Sequence, residues 1–245
     1  MLTVNYDIFQ VYPKEFVLDA GCGEGRHALE LSKRVECSVF AMDIEHENVQ
    51  KVEYMFNLMG IEGQTVGLGY VLEGDAENLP FNDNTFDKII CSEVLEHLND
   101  DNNGIKELVR VLKEDGEMAV TVPTYFTEAL YGKLSKEYFN TPGGHVRKYV
   151  PKRLVDALRK NDLEIYSIRF EHAFHSVYWL LRCLFGLNNE SALIPAFYRK
   201  FLVASIESKL MCKAERVLNS FFPKSIVIYT KKTNHNHKNI TVPKK

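Results

Sequence analysis

VLDAGCGEG at residues 17–25 is an apolar run that ends in an acid and three closely spaced glycines. The helical pattern RHALEL follows directly, so the glycines stand at a predicted strand-to-helix junction. Glycines there let the backbone approach a ligand, and the helix N-terminus offers N–H donors. A dinucleotide site would need G-x-G-x-x-G, whereas this stretch reads G-x-G-x-G. Asp19 would also repel a pyrophosphate, but it would attract a cation or an amine.

Short apolar runs alternate with longer helical patterns over the first half of the chain. The runs are FVLDA (16–20), SVFAMDI (38–44), YVLEGD (70–75), FDKIICS (86–92) and MAVTVP (118–123). This alternation is typical of βαβ units around a parallel sheet that is buried on both faces. The pattern therefore predicts an α/β fold with a doubly wound, mostly parallel sheet.

The second half of the chain has a different organisation. After residue 123 it reads, in order, as an aromatic segment, a helix (151–161), an extended stretch (163–174), mostly helical sequence (174–222) and a last strand-like run, SIVIYTKK (225–232). That run is short, so we expect it on an edge of the sheet. We predict a single domain over 1–232, with a helical insertion or lid at 174–222 before the last strand. The polar residues 233–245 are predicted to form a flexible tail.

The composition excludes several classes of protein. The chain has 245 residues, a formal net charge of −3 and a pI near 6.3, which makes a nucleic acid partner unfavourable. Its five cysteines include no C-x-x-C pair, which argues against a disulfide framework and a zinc ribbon. The N-terminus lacks the pattern of a secretion signal, and no apolar stretch reaches the roughly 20 residues of a membrane span. We expect a soluble, cytoplasmic protein with no membrane span.

Acidic residues end two further strands of the predicted sheet. Asp43 follows the second apolar run, where a carboxylate can hold both hydroxyls of a ribose, and Gly74-Asp75-Ala76 follows the third. With LPFNDNTFD (79–87) and VLKEDGEMAVTVP (111–123), these motifs resemble in kind and order those of class I S-adenosylmethionine-dependent methyltransferases. The resemblance extends to the methyltransferase type 11 and ubiquinone-biosynthesis-like O-methyltransferase group. It implies a Rossmann-like domain with a seven-stranded sheet, and a nicotinamide-binding Rossmann domain is the alternative.

The resemblance also implies S-adenosylmethionine as the cofactor and assigns its site. The glycine loop would wrap the methionine end, Asp43 would bind the ribose, and Asp75 with Ala76 would bind the adenine. The implied cofactor-binding residues are Asp19, Gly21, Cys22, Gly23, Gly25, Asp43, Ile44, Asp75, Ala76 and Ser92. We interpret Cys22 as a small residue in a tight loop rather than a nucleophile, because no general base is predicted beside it.

SEVLEHL at residues 92–98 supplies candidate catalytic residues after the fourth predicted strand. If the stretch is helical, Glu93, Glu96 and His97 share one face, and His145 lies on a later glycine-flanked loop. The pattern resembles ubiquinone-type O-methyltransferases, and E-x-x-E-H also resembles small-RNA 2′-O-methyltransferases; in both, these positions bind a divalent cation. Two carboxylates with imidazoles suit Mn²⁺, Fe²⁺, Co²⁺ or Zn²⁺ better than Mg²⁺. A metal-free base or orienting role, and a purely structural role, stay open.

The identity of the acceptor decides which polar groups matter, because a hydroxyl needs a base or a metal. We predict O-methylation of a hydroxyl on a small-molecule or glycoconjugate acceptor; an RNA methyltransferase and a non-catalytic cofactor-binding protein are the alternatives. Candidate acceptor contacts are the aromatic residues of 124–140 and 172–222, with His172, His175 and Ser176. WLLRCLF (179–185) favours a lid or homodimer contact over a membrane surface.

Overall fold

The computed structural model describes residues 2–135, 138, 144–187, 189 and 192–233, which form a seven-stranded sheet flanked by helices. The strands are β1 (Phe16–Ala20), β2 (Ser38–Asp43), β3 (Leu68–Glu73), β4 (Phe86–Ser92), β5 (Leu112–Pro123), β6 (Leu163–Glu171) and β7 (Ser225–Lys232). The helices are α1 (Arg26–Arg34), α2 (His46–Ile61), α3 (Asp101–Val111), α4 (Tyr125–Leu134), α5 (Pro151–Lys160), α6 (Ala173–Phe185), α7 (Leu193–Glu207) and α8 (Lys209–Leu218).

The order of the strands in space differs from their order along the chain. They lie as β3-β2-β1-β4-β5-β7-β6. β1 to β5 are parallel, and β7 runs antiparallel to both β5 and β6. The neighbours β1 and β4 form a switch point, from which the chain builds the sheet outward in opposite directions. Their carboxyl ends border a crevice of the kind in which α/β folds bind ligands.

Both faces of the central strands are buried. Leu18 and Ile89 belong to one hydrophobic cluster, whereas their neighbours Val17 and Ile90 belong to a second. All four side chains are fully buried. Successive side chains of a strand point to opposite faces, so a strand covered on both sides needs a continuous apolar run. The predicted α/β fold with a doubly wound, mostly parallel sheet is confirmed.

The place of the last strand in the sheet corrects one expectation. β7 is not an edge strand: it pairs with β5, from Ser225 opposite Pro123 to Lys231 opposite Glu117, and with β6 on its other side. β7 has 8 residues and is hydrogen-bonded on both sides, so the run was not too short for an interior position, and strand length alone does not reveal its neighbours. The edge strand on this side of the sheet is β6.

The helical insertion of α6, α7 and α8 connects β6 to β7. β6 ends at Glu171, which pairs with Ser225 at the start of β7. Because Ser225 also lies opposite Pro123 at the end of β5, the insertion leaves and rejoins the sheet on the side of the crevice. No helix within the described residues is long and apolar enough to cross a membrane. The predicted tail lies outside the described residues, apart from Thr233.

Candidate active site

The glycine loop between β1 and α1 has backbone angles that favour glycine. φ is +71° at Gly21 and +54° at Gly23, both in the left-handed region. A Cβ atom on Gly21 would lie 2.4 Å from Cγ2 of Val94, so the segment after β4 packs directly on this glycine. A Cβ atom on Gly23 would have no neighbour within 4 Å among the described residues. Packing against Val94 therefore requires a glycine at position 21, whereas Gly23 borders open space.

Asp19 lies near the end of β1 and is 1% exposed. Its carboxylate accepts a hydrogen bond of 3.0 Å from the backbone N–H of Ala28 in the first turn of α1. The strand thus supplies the cap that Gly25, at the N-cap position, cannot provide. Burial raises the pKa of Asp19 to about 7. A cation in the crevice would favour the ionised carboxylate.

Asp43 ties the end of β2 to the glycine loop and to α2. Its carboxylate accepts hydrogen bonds from the N–H of Gly23 at 2.7 Å, the N–H of Glu45 at 2.9 Å and the amide of Asn48 at 3.1 Å. A carboxylate has about four lone-pair positions, so it can accept a further hydroxyl. The adjacent apolar side chain of Ile44 is 63% exposed. Asp43 and Ile44 thus present a polar and an apolar group next to the open side of the loop.

The other predicted cofactor residues differ in exposure. Asp75 is exposed, whereas the next residue, Ala76, is buried. The buried Ser92 accepts a hydrogen bond of 2.8 Å from the guanidinium of Arg26, which connects the end of β4 to the start of α1. Burial raises the pKa of the Cys22 thiol, so the sulfur stays protonated near neutral pH.

SEVLEHL forms a turn rather than a helix, which corrects the geometry assumed from its spacing. β4 ends at Ser92, and Glu93 has a left-handed φ of 60°. The turn is held by the segment that carries His145: the N–H of Val146 donates to the carbonyl oxygen of Glu96 at 2.9 Å. Arg147 also donates from its guanidinium to two backbone carbonyl oxygens of the turn region.

Glu93 is engaged in an ion pair. Its Oε2 lies 3.0 Å from Nζ of Lys224, and its Oε1 accepts a hydrogen bond of 3.0 Å from the hydroxyl of Thr121. Burial alone would raise the pKa of Glu93, but the Lys224 ammonium holds it at about 2. Sequence reasoning missed Lys224, because no motif surrounds it and it lies far along the chain from Glu93.

Glu96, His97 and His145 meet at one point beside the crevice. One potential ligand atom from each lies within 4.8 Å of the others, and the two imidazole centroids are 4.8 Å apart. Glu96 is 1% exposed, and neither of its carboxyl oxygens has a hydrogen-bond partner among the described residues. Burial, and next the Glu93 charge, raise the pKa of Glu96 well above its usual range. A buried carboxyl without partners is costly unless it is protonated or bound to a cation.

Glu128 on α4 orients His145 and was not predicted. Its Oε2 lies 2.7 Å from Nδ1 of His145, and its Oε1 accepts a hydrogen bond of 2.7 Å from the Tyr138 hydroxyl. An imidazole that donates through Nδ1 keeps its Nε2 lone pair for another partner. Glu128 is also buried. No spacing pattern in the aromatic segment indicated this contact.

Two of the predicted acceptor contacts, His172 before α6 and Ser176 within it, make hydrogen bonds to other parts of the fold, although the buried Ser176 hydroxyl has no partner among the described residues. His172 is buried, and its Nε2 lies 3.2 Å from the Thr3 hydroxyl. Burial lowers the pKa of His172 to about 3 and that of His175 to about 4, so both stay neutral near pH 7. The carbonyl oxygen of Ser176 accepts a hydrogen bond of 2.8 Å from Tyr131. These contacts hold α6 against α4 and the N-terminal segment.

Known proteins share parts of this sequence and most of this fold. Residues 18–120 match a family model described as a methyltransferase domain. An uncharacterized methyltransferase, YcgJ of Bacillus subtilis, is 37% identical over 101 residues, which are 41% of this chain and 37% of that protein. A chloroplastic 2-methyl-6-phytyl-1,4-hydroquinone methyltransferase of Oryza sativa subsp. japonica is 33% identical over 112 residues, 45% of this chain and 30% of the relative. The chain thus spans about a third of the length of these relatives.

Solved structures match over a longer range. A SAM-dependent methyltransferase of Methanosarcina mazei superposes with a TM-score of 0.64 at 21% identity, over 95% of this chain and 99% of that one. The predicted resemblance is therefore confirmed: the sheet has the fold of this methyltransferase structure, and residues 18–120 match the methyltransferase domain model. Such a domain implies S-adenosylmethionine as the methyl donor.

Proposed function

We propose that this methyltransferase domain transfers a methyl group from S-adenosylmethionine to a hydroxyl of a small molecule or glycoconjugate. The observation that carries the proposal is the buried carboxyl of Glu96, which lies beside His97 and His145 and has no hydrogen-bond partner among the described residues. The curated relatives do not decide the acceptor, since one is uncharacterized and the other is named for a hydroquinone.

The cofactor would lie along the switch-point crevice. Its methionine end would fill the open space at Gly23, and its positive charge would favour the ionised form of the buried Asp19. One ribose hydroxyl would take the remaining lone-pair position of Asp43, with Ile44 against the adenine. This places the reactive methyl group toward the end of β4, where SEVLEHL begins.

The acceptor hydroxyl must lose a proton during transfer, because the cofactor already carries the activated methyl group. Burial and the Glu93 charge raise the pKa of Glu96, so the ionised form of this carboxyl has a high affinity for a proton. Glu128 would keep the His145 ring in one orientation, and His97 would complete the polar wall. Together these side chains would hold the hydroxyl and take its proton.

We also propose that Glu96, His97 and His145 bind a divalent cation, in which case Glu96 is a ligand and the cation, rather than Glu96, activates the hydroxyl. A carboxylate with two imidazoles suits Mn²⁺, Fe²⁺, Co²⁺ or Zn²⁺. A cation would satisfy the Glu96 oxygens, which no group in the described part of the chain does. A bound cation would polarise the acceptor hydroxyl and lower its pKa. Glu93 would stay outside the ligand set, because Lys224 already neutralises it.

Release of S-adenosylhomocysteine tests the transfer. The protein is incubated with S-adenosylmethionine and a panel of catechols, phenols and methyl glycosides, each paired with the corresponding methyl ether. We expect product release with at least one free hydroxyl compound and none with its ether. Equal release with amines or thiols, but with no hydroxyl, would exclude O-methylation.

Titration with Mn²⁺, followed by the electron paramagnetic resonance signal of the free ion, tests the cation site. Wild-type protein should deplete the signal, whereas E96Q, H97A and H145A should each weaken binding at least tenfold. H46A is the matched control, since His46 pairs with Glu73 away from the cluster. Unchanged affinity in E96Q, or full activity after exhaustive chelation, would reject the cation and leave Glu96 as a metal-free base.

A further inference from the structure

The outer surface of α7 and α8 exposes large apolar side chains. We call it the insertion surface; its apolar members are Leu193, Ile194, Phe197, Val203, Leu210 and Val217. Leu193, Phe197 and Leu210 are 84%, 77% and 70% exposed. Single exposed apolar residues are common, but a concentration of them on two adjacent helices marks an interaction site.

Within the described part of the chain, α7 and α8 are anchored through other side chains. α7 is anchored by its opposite side, where Leu202 is buried and the Tyr198 hydroxyl donates to the carbonyl oxygen of Phe174 at 3.1 Å. α8 is anchored by Glu215, whose carboxylate accepts a hydrogen bond of 3.2 Å from the N–H of Phe174. The exposed side chains therefore remain available to a partner.

Basic residues accompany the apolar ones. The exposed members are Arg199, Lys200, Lys209, Lys213 and Arg216. Residues 193–218 contain these five basic residues and two acidic ones, whereas the whole chain has a net charge of −3. The insertion surface is thus a basic, apolar region on an otherwise acidic protein, which favours an anionic partner with an apolar interior.

The insertion begins and ends next to the candidate active site. It rejoins the sheet through Lys224, which pairs with Glu93, and through Ser225, which lies opposite Pro123 at the carboxyl end of β5. The insertion is thus joined to the sheet at the rim of the crevice.

We propose that the insertion surface docks on an anionic lipid bilayer. A membrane surface offers phosphate headgroups for the five basic side chains and an acyl boundary for residues such as Phe197. A symmetric contact with a second copy would bring the same basic side chains toward one another, so charge complementarity favours lipid over a homodimer. Docking requires neither cofactor nor metal, so its test is independent of the proposed function.

Flotation of the full chain with vesicles tests the docking. Vesicles of phosphatidylcholine alone are compared with vesicles that also contain phosphatidylglycerol. We expect at least tenfold tighter binding to the anionic vesicles, and weaker binding as salt is raised. F197S and the pair K209E/K213E should each reduce binding at least fivefold. I61S is the matched control, because Ile61 is 86% exposed at the far end of α2; it should bind like wild type.

Two outcomes would overturn the proposal. One is equal binding, or equal absence of binding, with neutral and anionic vesicles. The other is a dimer in light scattering that F197S dissociates, which would assign the insertion surface to a second copy. Circular dichroism and thermal unfolding of each variant separate a loss of docking from a loss of folding.

Discussion

At the scale of single residues, the candidate site depends on side chains that come from separate parts of the chain. Glu96 and His97 were predicted from their sequence pattern and His145 from the resemblance, and the structure brings the three together. Glu128 and Lys224 could not be predicted, because each reaches the site from a distant element and carries no motif. A sequence pattern can identify groups that carry chemistry, but it does not identify the partners that orient or neutralise them.

Replacing Glu128 tests whether it orients His145. E128Q keeps the size of the side chain but removes the negative charge that accepts the Nδ1 proton. We expect turnover and Mn²⁺ affinity to fall about 10- to 100-fold, with cofactor affinity unchanged. Y138F removes only the second hydrogen bond on Glu128 and should have a smaller effect. Equal losses of turnover and cofactor affinity in E128Q would indicate a general structural role instead.

The buried carboxyl of Asp19 should make cofactor binding depend on pH. Its pKa of about 7 means that it is protonated below neutral pH, and a bound cation requires it to ionise. The dissociation constant of S-adenosylmethionine should therefore fall about tenfold per unit as pH rises toward 7, and then level off. D19N can still accept the Ala28 hydrogen bond but cannot titrate, so calorimetry should find this dependence missing. The same slope in both proteins would assign it to another group.

The raised pKa of Asp19 also determines how this residue changes the stability of the fold with pH. The folded state holds the Asp19 proton up to about pH 7, whereas an ordinary Asp loses it near 3.8. The folded state thus binds more protons between these values, and its contribution to stability declines as pH rises through that window. D19N should remove this decline in urea unfolding measured across the window.

At the scale of elements, the continuous apolar runs were sufficient to predict β1, β2 and β4, because a strand covered on both faces leaves a distinctive pattern. The order of strands was less accessible: β7 lies between β5 and β6, although its length suggested an edge. The helix expected for SEVLEHL does not form either, because Glu93 has a left-handed φ at the position where the first helical turn would begin.

Two glycines of the loop between β1 and α1 should respond differently to the same substitution. In G21A the new Cβ would clash with Val94 at a left-handed φ, so we expect a loss of about 1–3 kcal/mol in urea unfolding. In G23A the new Cβ meets open space, so only the left-handed backbone lowers the free energy of unfolding, by about 1–2 kcal/mol. The methyl group, however, fills part of the proposed cofactor site. Cofactor affinity should therefore fall more in G23A than in G21A. The reverse order would move the cofactor away from Gly23.

At the scale of the whole molecule, the sheet topology brings the candidate functional segments together at the carboxyl ends of the parallel strands. The loops after β1, β2 and β4 meet at the switch point, and the helical insertion returns to the sheet beside them. Ligand binding at these strand ends connects elements that are far apart in sequence, so it should stabilise the domain as a unit.

Thermal unfolding measures that stabilisation. S-adenosylmethionine at 100 times its dissociation constant should add about 2.7 kcal/mol, which corresponds to a rise in Tm of roughly 5–10 °C for a domain of this size. D43A should lose most of the rise, because Asp43 bonds to the glycine loop and borders the proposed cofactor site. E62A, an exposed acid beyond α2, is the matched control and should keep it. A full rise in D43A would contradict the assigned ribose position.

The most direct test is a crystal structure with S-adenosylhomocysteine bound. The proposed function predicts the ribose on Asp43 and the sulfur in the crevice between Gly23 and the cluster of Glu96, His97 and His145. The cluster would then face the position from which the methyl group leaves. Product bound elsewhere, or in the crevice with its sulfur turned away from the cluster, would contradict the assignment of Glu96, His97 and His145 to the methyl-transfer site.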